Sequence, residues 1–389
     1  MSSSASIYIH IPFCRTRCSY CDFFSTACGK KGVSDSYVSA LCREIQFRFR
    51  YSGYSSVHTV YIGGGTPSLL TPEQLKKISD SIYSLPGVSL LREFSIEVNP
   101  DDVTRSFILS AAASGITRLS CGIQAFEDSV LSGVKRRSSG KRVLEALDCI
   151  SEHWKGDLSV DLIAALPGQT EEGLCKGLKR LSEYPVDHVS LYSLTIEPET
   201  PLGRQVESGT LSYDFENADR MWLTGRDVLE SLGFRQYEVS NFCKPGKECL
   251  HNLVYWNLEG YLGCGAGATG TLYGKNAVRF TGTTDIQEYT DFWLSESACI
   301  QGAPGEREEL NLEVQSFEFF MMGLRTLRGV SLDEYRRRFG YEVPEKIRSE
   351  MAVWEQRGTA YFYRIGNELY FSLGSKGILF LNDFLRSII

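Results

Sequence analysis

The feature of this sequence that most restricts its fold is a regular alternation of strand-like and helix-like segments over the first 240 residues. Strand-like runs rich in β-branched and aromatic residues lie at 6–11, 57–62, 92–98, 117–123, 157–163 and 187–194. Amphipathic, helix-like patterns follow them at 35–50, 72–84, 103–113, 141–153, 171–182 and 215–231. A helix is the connection that brings a chain back to start a parallel strand, so about six such repeats predict a parallel sheet. The expected fold class is α/β, with the sheet open or curled into a partial (β/α)6 barrel. Ligand sites in such folds sit at the carboxyl ends of the strands.

Beyond residue 240 the text changes. The stretch 241–305 is rich in glycine and aromatics, carries turn signals such as Pro245-Gly246, and reads as a connecting segment. From 306 the pattern is helical over 308–327, 331–339 and 344–357. A hairpin over 358–363 and 368–373 turns at Gly366-Asn367, and a final helix follows. This is a winged-helix-like α+β arrangement, so the expected plan is 1–240, 241–305 and 306–389. Such domains often bind DNA, but basic and acidic residues nearly balance here, and a packing or lid module is expected instead. The net charge of −7 and the scattered Lys and Arg residues, apart from 135–137 and 336–338, argue against a nucleic-acid partner. A hydrophobic content of 42% and a charged content of 23% are those of a soluble globular protein. MSSSAS has no export-signal pattern, no apolar run reaches the length of a membrane span, and 12 Cys are too dilute for a disulfide scaffold. The expected compartment is a reducing cytoplasm.

Directly behind the first strand stand Cys14, Cys18 and Cys21. Spacings of four and three also fit one face of a helix, but Pro12 and the intervening Arg, Thr, Arg, Ser and Tyr fit a buried helical face poorly. Structural zinc sites use paired C-x-x-C or Cys and His groups, and no second pair of that kind appears. Iron–sulfur clusters are usually held by four thiolates. Three thiolates without a fourth at the next alternate position point to a cluster with one iron open to another ligand. After the second strand comes Gly63-Gly64-Gly65-Thr66-Pro67-Ser68, where missing side chains let backbone approach a ligand closely. A second glycine-rich string, Gly265–Gly270, fits the G-x-G-x-x-G pattern. It is followed by strand and turn rather than helix, so it reads as a tight bend and not a dinucleotide loop.

Taken together, these segments resemble the radical S-adenosylmethionine (SAM) superfamily, in the branch shared by oxygen-independent coproporphyrinogen III oxidases and HemW-type heme chaperones. The resemblance rests on Tyr8–Cys14, Gly63–Ser68, Glu97–Pro100, Gly122–Phe126, Asp161–Ile163 with Leu166–Thr170, and Tyr237–Phe242. It implies a [4Fe–4S] cluster on Cys14, Cys18 and Cys21, with SAM bound through the open iron and cleaved to a 5′-deoxyadenosyl radical. It also implies SAM contacts at Tyr8, Tyr20, Gly64, Gly65, Thr66, Glu97, Gln124, Arg136 and Asp161. An acid at a strand end can accept from a ribose hydroxyl or an ammonium, and Arg can pair with a carboxylate bidentately.

The string His251-Asn252-Leu253-Val254-Tyr255-Trp256 is similar to the signature of the heme-chaperone group. Imidazole is a common heme ligand, and flat aromatics suit a porphyrin face. The resemblance therefore implies a heme contact at His251.

Two functions follow from it. One is a heme-binding chaperone that passes heme to acceptor proteins, with any membrane association arising through those acceptors alone. The other is oxidative decarboxylation of coproporphyrinogen III. The enzymes resemble C-x-x-x-C-x-x-C-x-C, whereas here the last place is Phe23. They also carry a longer segment before the cluster, and they lack the H-N-x-x-Y-W string. All three features favour the chaperone. The sequence departs from the branch at Lys135 and Ser138, where Gly and His are usual, at Ala165 in place of Gly, and at Thr269 in place of His.

Overall fold

A computed structural model of the protein describes residues 4–389. The six expected strands are present, each within two residues of its expected ends: β1 Ser4–Ile11, β2 Ser56–Gly64, β3 Glu93–Val98, β4 Arg118–Gln124, β5 Asp157–Ala164 and β6 His188–Ser193. The main helices between and after them are Asp35–Ser52, Pro72–Tyr83, Arg105–Ala113, Gly140–His153, Glu171–Arg180 and Phe215–Ser231. Their starts are written in the sequence. Ser34, Thr71, Thr104, Ser139, Thr170 and Asp214 each accept from the N–H three residues on, satisfying a donor the helix leaves free. Thr71 and Gln74 complete a reciprocal capping box behind Pro72.

β1 to β6 lie side by side in chain order, each parallel to its predecessor. Right-handed crossovers that all step the same way send every helix to one face of the sheet. That face is apolar, with Ile7 and Ile9, Val60 and Ile62, Phe94 and Ile96, Leu119, Val160 and Leu162, and Val189 and Leu191 all buried in one core with the helices. The alternate positions are polar: Tyr8, Tyr61, Glu97, Ser120, Asp161 and Tyr192. Parallel strands covered on both faces ordinarily read as continuous apolar runs. Alternation here means that the concave face encloses polar matter.

The stretch 241–305, read from sequence as a connecting segment, contributes to the same sheet. Tyr261–Cys264 pairs parallel with β1, and Thr269–Leu272, Val278–Gly282 and Gly305–Glu309 continue antiparallel from it. On the other side, Asn241–Cys243 pairs antiparallel with β6 and then with Arg235–Gln236. Among the described residues the two outermost strands do not pair with each other, so the barrel stays partial. The Gly265–Gly270 string bends the chain between two strands, as expected, and no helix follows it.

The C-terminal stretch has its own core, around Phe320, Tyr335, Met351, Phe371 and Phe384. Helices Leu312–Gly323, Leu332–Phe339 and Glu345–Gln356 precede the hairpin Ala360–Ile365 and Glu368–Leu373, and Leu381–Ile388 closes the chain. The helix expected from 308 begins at Leu312, behind Asn311 as its cap, because Gly305–Glu309 is taken into the large sheet. No helix among the described residues is long and apolar enough to cross a membrane.

Candidate functional site

The carboxyl ends of β1 to β6 surround a cavity of about 480 Å³. Eleven residues singled out from sequence line it: Cys14, Cys18, Cys21, Tyr20, Gly64, Gly65, Thr66, Glu97, Gln124, Arg136 and Asp161. They are up to 147 residues apart in the chain, between Cys14 and Asp161, and the barrel alone brings them together. Tyr8 and His251 line a smaller chamber of about 220 Å³ beneath, which shares Phe23, Glu97, Ser120, Asp161 and Tyr192 with the larger one.

The three cysteines are free thiols on the loop that leaves β1. Backbone ties fix this loop: Cys28 N–H donates to the Cys14 carbonyl at 2.8 Å, and Ser19 N–H to the Val134 carbonyl at 3.0 Å. Cys14 is buried, and the Thr66 hydroxyl donates to its sulfur at 3.4 Å. Burial pushes the Cys14 thiol up and the Cys21 thiol up to about 11, so both hold their protons at neutral pH until a metal displaces them. Among the described residues no three Cys, His, Asp or Glu side chains converge as the ligands of a single metal ion would.

The glycine loop touches both the cysteine loop and the acids. Gly64 has φ +110°, and a Cβ there would lie 2.5 Å from the His10 ring. At Gly65 a Cβ would lie 2.8 Å from the Phe13 carbonyl oxygen, so only glycine lets this loop run against the start of the cysteine loop. Gly64 N–H and the Tyr61 hydroxyl both donate to Glu97, each at 3.1 Å. Burial, followed by repulsion from Asp161, pushes the Glu97 carboxyl up to about 8. Burial also raises Asp161, against the opposing hydrogen bonds from Ser190 and Ser120 and the charge of Arg136.

Arg136 enters from the opposite wall. The sheet register shifts between Gly122 and Gln124, and Gln124 takes φ +66°. The Gly122 carbonyl released by this bulge accepts from Arg136 Nη2 at 2.5 Å, while Nη1 donates to Cys18 Sγ at 3.6 Å. The buried Arg136 Nε has no protein partner. Two departures from the family pattern gain a physical meaning here. Lys135 (φ +56°) and Ala165 (φ +64°) hold left-handed conformations that favour glycine, so the backbone has kept the shape while the residue has changed. Ser138, in place of His, donates to Asp101 at 2.5 Å and Asn99 at 3.2 Å. Thr269, also in place of His, is hydrogen-bonded to Thr281 at 3.0 Å.

His251 lies on the helix Leu250–Trp256, which closes the floor of the barrel. Its ring is fully buried, with Nδ1 2.8 Å from the Thr59 hydroxyl and Nε2 2.8 Å from the Tyr255 hydroxyl, and it stacks on Tyr61. Burial pushes its pKa down to about 3, so it is neutral. In this arrangement neither ring nitrogen is free to take an iron. Sequence reasoning missed the group that holds this helix. Glu93 accepts from the N–H groups of Leu250 and His251 at 2.9 and 3.1 Å and pairs with Arg118 at 3.3 Å. Arg118 in turn donates to the carbonyls of Lys247 and Glu248. Buried acids and bases at strand starts were the available signal.

A partial barrel with a C-x-x-x-C-x-x-C loop behind its first strand defines a class, and the comparisons agree with it. The family model of the radical SAM superfamily matches residues 8–181. Heme chaperone HemW of Bacillus subtilis (strain 168) is 36% identical over 338 residues, covering 86% of this chain and 87% of its own. HemW of Lactococcus lactis subsp. lactis (strain IL1403) is 34% identical, covering 94% and 96%. The mitochondrial radical S-adenosyl methionine domain-containing protein 1 of Bos taurus is 35% identical, covering 92% and 79%. The chain belongs to the radical SAM superfamily, in the branch that contains HemW. The crystallised coproporphyrinogen III oxidase HemN of Escherichia coli superposes with a TM-score of 0.81 over 99% of this chain and 90% of its own, at 20% identity, which establishes a shared fold.

Proposed function

We propose that this protein is a heme chaperone that holds a [4Fe–4S] cluster on Cys14, Cys18 and Cys21, binds SAM beside it, and passes heme to acceptor proteins. The observation that carries the reading is similarity to proteins named HemW, at 34–36% identity over 86–94% of the chain, in a chain with Phe23 where the oxidases carry a further cysteine. The residues fit the two groups. Cys14, Cys18 and Cys21 are free thiols that line one cavity, a donor set of the kind that holds iron–sulfur clusters. Arg136, with a free Nε, offers a carboxylate partner. Glu97 and Asp161 offer acceptors for ammonium or hydroxyl groups, and the Gly64-Gly65 backbone leaves room beside them. When bound, the cluster would supply an electron to the sulfonium of SAM; the protein binds, orients and shields.

The likeness to HemN concerns the fold, and nothing at the site favours the oxidase reading over the chaperone. Three measurements on anaerobically purified protein test the proposal. Replacing Cys14, Cys18 and Cys21 by Ala should remove the brown chromophore and its iron. Heme titration should shift the Soret band. Assay with SAM, a reductant and coproporphyrinogen III should yield no protoporphyrinogen. Unchanged iron in the triple variant defeats the cluster assignment, and robust turnover makes the protein an oxidase.

A further inference from the structure

Two adjacent arginines, Arg136 and Arg137, line the large cavity, and their surroundings differ. Arg136 reaches a carbonyl and a thiol, its Nε is unpartnered, and among the described residues no carboxylate pairs with it. Arg137 is held by two acids. Its Nη2 donates to Asp102 Oδ1 at 3.1 Å, and its Nε lies 3.5 Å from Asp101 Oδ2. Both acids stand on the short turn Pro100–Asp102 that follows β3, and each also takes a serine. The Ser68 hydroxyl, from the glycine loop, donates to Asp102 Oδ2 at 3.1 Å and accepts from Asn99 N–H at 3.1 Å. Buried Ser138 donates to Asp101 at 2.5 Å. These contacts tie the loops after β2, β3 and β4 into one clasp on the cavity wall.

We infer that Asp101 and Asp102 are positioning residues, which hold Arg137 aside so that Arg136 alone receives the carboxylate of SAM. The inference rests on the SAM-binding part of the proposed function. Two guanidiniums on neighbouring residues present two forks to one carboxylate, and a ligand shared between them lies in two places. The two acids offset the charge of Arg137 and fix its side chain, whereas the charge of Arg136 is left for the ligand. A ligand that must meet one iron gains from a single placement, because a misplacement of about 1 Å can cost about a hundredfold in rate. Since Asp102 also takes Ser68, the same clasp sets the gap between the glycine loop and the arginine wall. Ser138, where the branch usually has His, supplies this chain with a short donor that stays with Asp101.

The test uses anaerobically purified, cluster-loaded protein. It reads the dissociation constant of SAM by equilibrium dialysis and the EPR spectrum of the reduced cluster, which changes when SAM reaches the open iron. Asp101→Asn/Asp102→Asn keeps acceptors for Ser68 and Ser138 but releases Arg137. This variant should bind SAM about threefold to tenfold more weakly and, at saturating SAM, show a mixture of the bound and SAM-free EPR signals. Adding Arg137→Gln removes the released cation, and should return the affinity to within about twofold of wild type with a single signal. Acids that only support the fold would allow no such recovery. The inference is overturned if the triple variant stays as weak as the double one, or if the double variant binds as wild type does. Arg137→Gln alone, which leaves both acids in place, should bind SAM as wild type does; a loss of about tenfold would make Arg137 itself a receptor and overturn the inference independently. Cluster-loaded wild type that binds no SAM overturns the SAM reading instead.

Discussion

Glu97→Gln should make the ligand-free protein more stable at alkaline pH while weakening its hold on SAM. Glu97 faces Asp161 across the cavity, and its carboxyl is pushed from 4.5 up to about 8, first by burial and then by that neighbour. The sign follows from the two end states. Below pH 4.5 Glu97 is protonated both folded and unfolded and costs nothing. As pH rises toward 8 the unfolded chain has released the proton and the folded chain still holds it, so stability falls; above 8 the full penalty remains. At about 1.4 kcal/mol per pH unit the shift sets a ceiling of about 5 kcal/mol, and water reaching the open cavity lowers that to an expected 2–3 kcal/mol, roughly. Urea unfolding of apo wild type and apo Glu97→Gln between pH 4.5 and 9 reads it directly. Taking the difference between the two removes other groups such as Glu238, raised to about 7 by burial. That difference should open by about 2–3 kcal/mol between pH 4.5 and 8 in favour of the variant. Above pH 8, where Glu97 is ionised, SAM should bind the variant about tenfold or more weakly, because a lost charge partner inside a cavity is worth upwards of about 1.4 kcal/mol. A stability difference that does not change with pH would refute the reasoning, since Glu97 would then ionise as freely folded as unfolded.

Other outcomes follow from the same geometry. Lys135→Gly and Ala165→Gly should each stabilise the fold by about 0.5–1 kcal/mol, the relief of left-handed strain less the extra freedom of an unfolded glycine, as read by urea midpoints. His251→Phe should cost about 1–3 kcal/mol, as read by urea midpoints, because the buried Tyr255 hydroxyl loses its partner while Thr59 keeps its hydrogen bond to Ser6. Glu93→Gln should destabilise by about 1–3 kcal/mol, because it removes the buried charge that pairs with Arg118 and leaves Asp157 as that guanidinium's remaining carboxylate; hydrogen exchange should rise in helix Leu250–Trp256 before it does elsewhere.

Much of the fold was legible because local rules agreed with the global one. The strand and helix periods, the Ser, Thr and Asp caps and the Pro72 helix start all act within a few residues, and the six strands fall within two residues of their expected ends. The stretch 241–305 was less legible. Its strands are short and glycine-rich, and Tyr261–Cys264 is a strand because β1 offers it an edge about 250 residues away in the chain. The site divides the same way. Cysteine spacing and the glycine run are chemical signals that survive in one dimension, whereas the Glu93–Arg118 clasp has no motif.

By itself, then, the sequence determined the class of protein, the cysteine loop and the strand ends on which polar residues stand, because alternation and spacing are local properties of a chain. Only the tertiary structure decided where those residues face. Curvature turned the polar side of β1 to β6 inward, carried Cys14 and Asp161 to one cavity, and raised Glu97 by removing its water. It also shut His251, the residue whose motif most suggested an open ligand, behind hydrogen bonds to Thr59 and Tyr255. Burial and charge repulsion depend on neighbours in space, and spacing along the chain carries no record of them.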